Sequence, residues 1–152
     1  MRRDWQTIAK RFATCPVRLA IVPDIPVLAQ LLHWYSREVE FAEEIGYEQA
    51  VDVAGRMLND QFMAVMILND GSGFVVVNAT SPEMWGSELD LHITHLFVHP
   101  ESRSMRKSVS LLNSVYEMGK AVGASRIMGI SQRGDGLYQM VADPVAVYEM
   151  RL

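Results

Sequence analysis

Apolar residues recur along this chain with two different spacings, which alternate several times between the termini. Asp24-Ile25-Pro26 offers an N-cap with a proline in the first helical turn, and the apolar positions after it repeat every three or four residues. This pattern predicts an amphipathic helix. The same spacing predicts a second helix from about Tyr47 to Leu58 and a long one from about Met105 to Gly123. A short helix over Asp4 to Phe12 is also expected.

Shorter apolar runs between these helices predict strands. The predicted strands are Val17 to Val22, Phe62 to Leu68, Phe74 to Val77, His92 to Val98, Arg126 to Ile130 and Val145 to Leu152. Asn69-Asp70-Gly71-Ser72-Gly73 is a strong hairpin signal. Residues 78–90 are expected to form a loop or an irregular strand, and residues 134–142 one or two helical turns. This order predicts an α/β (α+β) fold with one mixed, largely antiparallel central sheet flanked by helices.

Length and composition are those of an ordinary single domain. The 152 residues are predicted to form one domain, 1–152, in which residues 1–16 are an N-terminal extension. The single cysteine, Cys15, cannot form an intrachain disulfide, which fits a reducing compartment and predicts a cytoplasmic location. The longest apolar run, Phe62 to Leu68, is too short to span a bilayer, so no membrane partner is expected.

Net charge limits the choice of partner. A formal charge of −4 argues against nucleic acid, because binding to its backbone requires an excess of Lys and Arg. Arg103, Arg106 and Lys107 nevertheless cluster at the start of the long predicted helix. Cations there oppose the helix dipole, and a bound anion would remove the conflict. The cluster therefore indicates a site for a small phosphorylated ligand, unless it is simply a solvated first turn.

The segment from Leu96 to Ser108, taken with the order of elements, resembles the GCN5-related N-acetyltransferases (GNAT). The cofactor motif of that family follows a strand and reads Val-x-Pro, then Arg or Gln, two residues, Gly, one residue, and Gly or Ala. Val98, Pro100 and Arg103 match it, whereas Arg106 and Ser108 occupy the glycine positions. The resemblance runs from about residue 17 to the C-terminus. The turn here has the form Arg103-x-x-Arg106 with the small residue Ser108 after it, which is similar to a phage and bacterial subgroup of the family. Many members of that subgroup have no assigned substrate.

The resemblance implies that acetyl-CoA is the acyl donor. It places the CoA diphosphate on the backbone amides at the start of the long helix, and the pantetheine arm against the preceding strand. The cofactor-binding residues implied are Leu96, Phe97, Val98, Arg103, Ser104, Met105, Arg106, Lys107 and Ser108.

The resemblance also implies which residues carry out the chemistry. The family base often lies eleven residues before the motif Arg, which is His92 in this chain. An imidazole accepts a proton near neutral pH. Strand alternation predicts that Thr94 and Leu96 share a face with His92, so that Thr94 can relay a proton through water, while His95 points to the other face. Tyr138 corresponds to the tyrosine that protonates the leaving thiolate in many members.

Other histidines and the acceptor pocket complete the expectations. His95 is expected to pack against a helix and His99 to lie in a turn, and opposite strand faces argue against a zinc site. The acceptor-pocket candidates are Trp34, Tyr35, Met84, Trp85 and Glu88. Glu88 and Asp90 are alternative bases or ligands for a cationic acceptor.

Three functions remain open from the sequence. The first is an N-acetyltransferase that moves an acetyl group to a primary amine of a small molecule or protein, or of a nucleobase if the chain is phage-encoded. The second is a catalytically inactive GNAT-fold interaction, virion or CoA-sensing protein, which the missing glycines favour; for a phage protein the location would be the host cytoplasm or the virion. The third is a phosphate-binding regulator. By analogy with the family, the last strand, Val145 to Tyr148, could pair with a second copy in a homodimer.

Overall fold

A computed structural model describes residues 5–38, 43–81, 89–130 and 147–151 of the chain. The helices are α1 (Trp5–Phe12), α2 (Ile25–Glu38), α3 (Tyr47–Asn59) and α4 (Met105–Val122). The strands are β1 (Val17–Leu19), β2 (Met63–Leu68), β3 (Gly73–Thr80), β4 (Asp90–Val98), β5 (Arg126–Ile130) and β6 (Val147–Arg151). Single 3-10 turns cover Val22–Asp24 and Pro100–Ser102. The helix predicted over residues 134–142 lies outside the described residues.

The described strands form one six-stranded sheet in the order β1-β2-β3-β4-β5-β6. Neighbouring strands are antiparallel except for β4 and β5, which are parallel. A parallel pair needs a crossover connection, and α4 supplies it. The predicted mixed, largely antiparallel sheet flanked by helices is therefore confirmed.

Both faces of the sheet are covered by helices. Val75 and Val77 face a core shared with α4, whereas Phe74 and Val76 face a core shared with α2 and α3. Because both faces are buried, the central strands read as continuous apolar runs rather than as alternating ones. The N-terminal extension joins the α4 side, where Trp5 of α1 packs against the core. None of the helices in the described ranges has the length and apolarity needed to cross a membrane.

The first strand is shorter than predicted. It ends at Leu19, and a 3-10 turn over Val22–Asp24 leads into α2. Arg18 donates two 2.6 Å hydrogen bonds to the carboxylate of Asp24, which also accepts from the backbone of Ile21 at 2.8 Å. These hydrogen bonds hold the 3-10 turn against β1. The Arg18 guanidinium lowers the pKa of Asp24 to about 2.

A β-bulge in β4 overturns the predicted strand faces. Val77 of β3 lies opposite Ile93, but Val76 lies opposite His95, so Thr94 is an extra residue in β4. His95 therefore shares the α2 side of the sheet with His92, and Leu96 contacts the α4 core. The prediction that Leu96 shares a face with His92 while His95 points away is wrong, because strict alternation does not survive an inserted residue.

Candidate functional site: a groove between β4 and β5

The candidate site is the stretch of β4 after its pairing with β5 stops, and we call this edge, from Thr94 to Val98, the groove. The parallel ladder runs from Asp90 opposite Arg126 to Ile93 opposite Gly129, and β4 then continues to Val98 alongside β3. Beyond Ile93, no described strand pairs with the edge of β4 that faces away from β3. This stretch can accept an extended ligand as an additional strand.

The backbone of β4 presents two residues to the groove. The amide of His99 donates to Ser72 O at 2.7 Å, toward β3, so by alternation the polar backbone groups of Leu96 and Val98 point to the opposite side. Val98 O accepts from Arg103 Nε at 3.2 Å and from its terminal nitrogen at 2.9 Å. The backbone of Phe97 faces β3, and its side chain is only 1% exposed. Leu96 is therefore the residue best placed to bind an amide of the ligand.

The start of α4 lies at the end of β4. Ser104 is the N-cap, with an extended backbone, and its hydroxyl accepts from the Lys107 amide at 3.3 Å. The Ser108 amide makes the first intrahelical bond, to Ser104 O at 3.2 Å. Helix geometry leaves the Met105 and Arg106 amides without intrahelical partners. Two free amides beside the positive end of the helix dipole are the donors that an anion requires.

The three cations of the predicted motif each have a partner within the protein. Arg103 binds Glu38 at 2.8 Å, and Arg106 reaches the Thr14 hydroxyl at 3.4 Å. Lys107 donates to the Ser72 hydroxyl and pairs with the Asp70 carboxylate, both at 3.0 Å.

The β2–β3 turn thus places a carboxylate beside α4. Hydrogen bonds from Ser72, and secondarily from Lys107, lower the pKa of Asp70. The positive charge around the α4 terminus is therefore partly balanced by Glu38 and Asp70.

These residues fit the parts of CoA. An extended pantetheine arm needs an open strand edge, which Leu96 supplies, and a diphosphate needs donors such as the Met105 and Arg106 amides. Ser108, at a motif glycine position, is buried, whereas Ser104 is exposed and extended. The groups that would hold CoA are therefore mainly backbone groups. Arg103 and Lys107 would contribute once a ligand replaces Glu38 and Asp70 as their partners.

The structure brings Thr94 to His95. The Thr94 hydroxyl contacts Nδ1 of His95 at 2.9 Å, and Asn78 Nδ2 donates to it at 3.5 Å. His92, the predicted base, is partly exposed and lies opposite Asn78 in the β3–β4 ladder. Thr94, one of the two predicted catalytic residues on β4, therefore contacts His95. His95 was not among the catalytic residues expected from the sequence.

His95 is the functional candidate that sequence reasoning missed. Its ring contacts Tyr35 of α2 edge to face, with the centroids 5.4 Å apart, and the residue as a whole is exposed. Surrounding protein atoms desolvate the imidazole and lower the pKa of His95. Nothing in the local sequence marks the bulge that turns this side chain toward α2.

The predicted acceptor-pocket residues divide between two places. Tyr35 lies against His95 and also contacts the rings of Phe74 and Phe97. Trp34 instead contacts His99, with ring centroids 4.9 Å apart, at the end of β4. Three further predictions, Trp85, Glu88 and Tyr138, lie outside the described residues, as does Met84.

Asp90 lies at the first pair of the β4–β5 ladder, away from the groove. It is 2% exposed, and Arg126 donates to its Oδ2 from two nitrogens, at 3.0 and 2.9 Å. Its Oδ1 is buried and has no hydrogen-bond partner among the described residues. This ion pair joins the first residues of β4 and β5, so Asp90 acts first as a structural group. In the described part of the chain, His, Cys, Asp and Glu form no cluster of three that could hold a metal ion.

Comparison with known proteins identifies the fold. No protein-family model matches the chain, and no curated protein matches it in sequence. Among solved structures it is similar to an integron cassette protein from a salt-marsh metagenome, with a TM-score of 0.68, 19% identity and coverage of 86% of this chain and 83% of that one. It is also similar to a ribosomal-protein-alanine N-acetyltransferase from Brucella melitensis biovar Abortus 2308, with a TM-score of 0.67, 20% identity and coverage of 84% and 91%.

A third similar structure is an aminoglycoside N-acetyltransferase, AAC(6')-Iy, solved in complex with CoA. Its TM-score is 0.64 at 15% identity, over 83% of this chain and 82% of that one. The chain therefore has the fold of the GCN5-related N-acetyltransferases, as the sequence predicted.

Proposed function

We propose that this chain is an acyl-CoA-dependent N-acetyltransferase that moves an acetyl group from acetyl-CoA to a primary amine by direct attack. The main support is the edge of β4 after Ile93, which no described strand pairs with on the β5 side and which leads to the N-terminus of α4. A strand edge and a helix terminus in this arrangement suit a molecule that has both an extended amide arm and a diphosphate. The solved acetyltransferases with the same fold add support.

The backbone holds most of the donor in this proposal. Leu96 binds an amide of the pantetheine arm, and the Met105 and Arg106 amides bind the diphosphate. Arg103 and Lys107 add charge when the diphosphate replaces Glu38 and Asp70 as their partners. The positive end of α4 favours the anion without any motif glycine.

The reaction needs a proton acceptor and a proton donor. The amine nitrogen bonds to the thioester carbonyl carbon, the carbon–sulfur bond breaks, and CoA leaves as a thiolate. A base takes the proton that the amine gives up, and an acid supplies a proton to the thiolate. The base is a histidine of β4; the family resemblance assigns His92 with Thr94 as a relay, and assigns Tyr138 as the acid.

The acceptor is a primary amine of a small molecule or of a protein, and it enters beside Tyr35. Structures with this fold include a ribosomal-protein-alanine N-acetyltransferase and an aminoglycoside acetyltransferase solved with sisomicin. A peptide that begins with alanine and sisomicin are therefore the first two acceptors to try.

Ligand binding tests the proposal directly. Acetyl-CoA and CoA should each raise the melting temperature of the protein, because a ligand that binds only the folded state stabilises it, and ATP should raise it less. Release of the CoA thiol is then followed with each acceptor. If neither CoA compound changes the melting temperature, the proposal is wrong.

One observation favours a second function, that of a GNAT-fold protein without catalysis. Glu38 and Asp70 already balance Arg103 and Lys107, and the motif glycines are absent. Binding of CoA without thiol release across an amine panel would indicate a CoA sensor. Absence of binding would indicate an interaction or virion protein.

We also propose that the chain forms a homodimer. In the described sheet β6 is an edge strand, and an edge strand can pair with the same strand of a second copy. Light scattering after size exclusion measures the mass of the particle and so tests it.

A further inference from the structure

We propose that His95, rather than His92, accepts the proton of the attacking amine. The inference rests on the proposed acyl transfer and names the residue that performs one of its steps. It depends on the β-bulge at Thr94, which places the His95 side chain on the α2 side of the sheet at the closed end of the groove.

The position of His95 along β4 is the first support. The last residue of β4 that pairs with β5 is Ile93, and Thr94 and His95 are the next two residues, which no described strand pairs with on that side. A ligand arm that enters at the α4 terminus and binds Leu96 points its reactive end toward these two residues. His92 lies on the other side of Ile93, where β4 and β5 are still paired.

The Thr94 hydroxyl lies within hydrogen-bond distance of three groups. Val76 O is 3.4 Å away, Asn78 Nδ2 is 3.5 Å away, and Nδ1 of His95 is 2.9 Å away. In this proposal Nδ1 is the nitrogen that carries the proton, which leaves the lone pair of Nε2 available to the amine. Thr94 is thus a positioning residue. Among the described residues no hydrogen bond orients the His92 ring in this way.

The surroundings of His95 favour its neutral form. Tyr35 from α2 is the titratable group in contact with it, Val76 lies opposite it on β3, and Thr94 is its hydrogen-bond partner. None of these residues carries a charge near neutral pH. Desolvation by the surrounding protein atoms lowers the pKa of His95, which favours the free base.

The step balances with His95 as the acceptor. The amine nitrogen forms its bond to the acetyl carbonyl carbon while Nε2 takes the amine proton, giving an imidazolium. The carbon–sulfur bond breaks, and the thiolate takes a proton from an acid or from water. The imidazolium then returns its proton to solvent.

The test compares two matched variants, His95→Asn and His92→Asn. The amide nitrogen of asparagine can replace the Nδ1–H that contacts Thr94, but nothing replaces Nε2. With sisomicin or the alanine peptide as acceptor, we expect kcat/KM to fall about 100-fold or more in His95→Asn, in line with the usual contribution of a general base. The fall in His92→Asn should be less than about 10-fold. The acidic limb of the pH profile should disappear only in His95→Asn.

The dissociation constant of acetyl-CoA separates the possible outcomes. If both variants bind acetyl-CoA like the wild type but only His92→Asn loses turnover, the inference is wrong and the transferase proposal stands. If the wild type itself does not bind acetyl-CoA, the transferase proposal has failed.

An NMR measurement tests the inference without any acceptor. Long-range proton–nitrogen correlations of the imidazoles, assigned with His95→Asn, should show His95 protonated on Nδ1, with a pKa below 6.5, and shifted by acetyl-CoA. An Nε2–H tautomer, or a ring that acetyl-CoA leaves unchanged while the Leu96 amide shifts, would overturn it.

Discussion

The Arg103 guanidinium donates a 2.8 Å hydrogen bond to Glu38 and so joins the turn before α4 to the last residue of α2. The same group donates twice to Val98 O and lies 5.8 Å from the centroid of the Phe97 ring. Arg103 therefore lies next to the N-terminus of α4 and is bound by a carboxylate of α2. An anion bound at α4 must compete with Glu38 for it.

Replacement of Glu38 by Gln should strengthen CoA binding about two- to fivefold. The change removes a competing carboxylate, and a partly exposed ion pair of this kind contributes up to about 1 kcal/mol. Calorimetric titration with CoA measures the effect, which should shrink at high salt. Glu44→Gln, which removes an exposed partner of Arg37, is the matched control. Weaker binding in Glu38→Gln would show instead that the pair holds Arg103 in place for the ligand.

Gly73→Ala should destabilise the β3–β4 ladder. An added Cβ would lie 2.6 Å from Phe97 O and 3.0 Å from the Val98 side chain, and the strand backbone cannot give way without breaking its pairing. We expect a loss of about 2 kcal/mol in the free energy of unfolding, as for overpacked cores. Urea denaturation measures it. Gly55→Ala in α3 has open space at its Cβ and should stabilise the protein by up to about 1 kcal/mol. Equal effects in the two variants would contradict the tight contact at Gly73.

Asp24→Asn should lower stability at neutral pH and remove part of its acid dependence. The folded pKa of Asp24 is about 2, below the ordinary value of 3.8. The carboxylate therefore contributes its stability above about pH 4, and loses it as the pH falls toward 2. Arg18 is partly exposed, so solvent screening limits the expected cost to about 1 kcal/mol. Thermal unfolding between pH 2 and pH 7 measures it. If the wild type and the variant lose stability in parallel below pH 4, this assignment is wrong.

Arg126→Met should cost about 3 kcal/mol, because it leaves the buried Asp90 carboxylate without its cation. The double variant Arg126→Met with Asp90→Asn should recover part of the loss, since no buried charge then remains. Urea denaturation of the wild type, the two single variants and the double variant forms a double-mutant cycle. If the two substitutions simply add, the pair does not hold the first residues of β4 and β5 together.

Periodicity within short segments was sufficient to locate most elements. The predicted helix over Tyr47 to Leu58 is observed as Tyr47–Asn59, and the predicted strand Arg126 to Ile130 is observed with the same bounds. Gly123 ends α4 with a φ of 73°. Such features depend on residues a few positions apart, so the sequence shows them directly. The β4–α4 turn was instead found through the family resemblance that Val98, Pro100 and Arg103 carry.

The arrangement of the site depends on residues that are distant in the chain. The bulge at Thr94 is defined by the pairing of β4 with β3, because Thr94 has no partner residue there. It places His95 and Leu96 on the faces opposite to those that alternation predicts. Glu38 meets Arg103 across 65 positions.

The sequence by itself therefore determined most of the elements and the family likeness. Only the tertiary structure decided that His95 lies on the same side of the sheet as His92, and that carboxylates pair with Arg103 and Lys107. The physical reason is that strand register and side-chain partners depend on contacts between distant segments, which no local pattern contains.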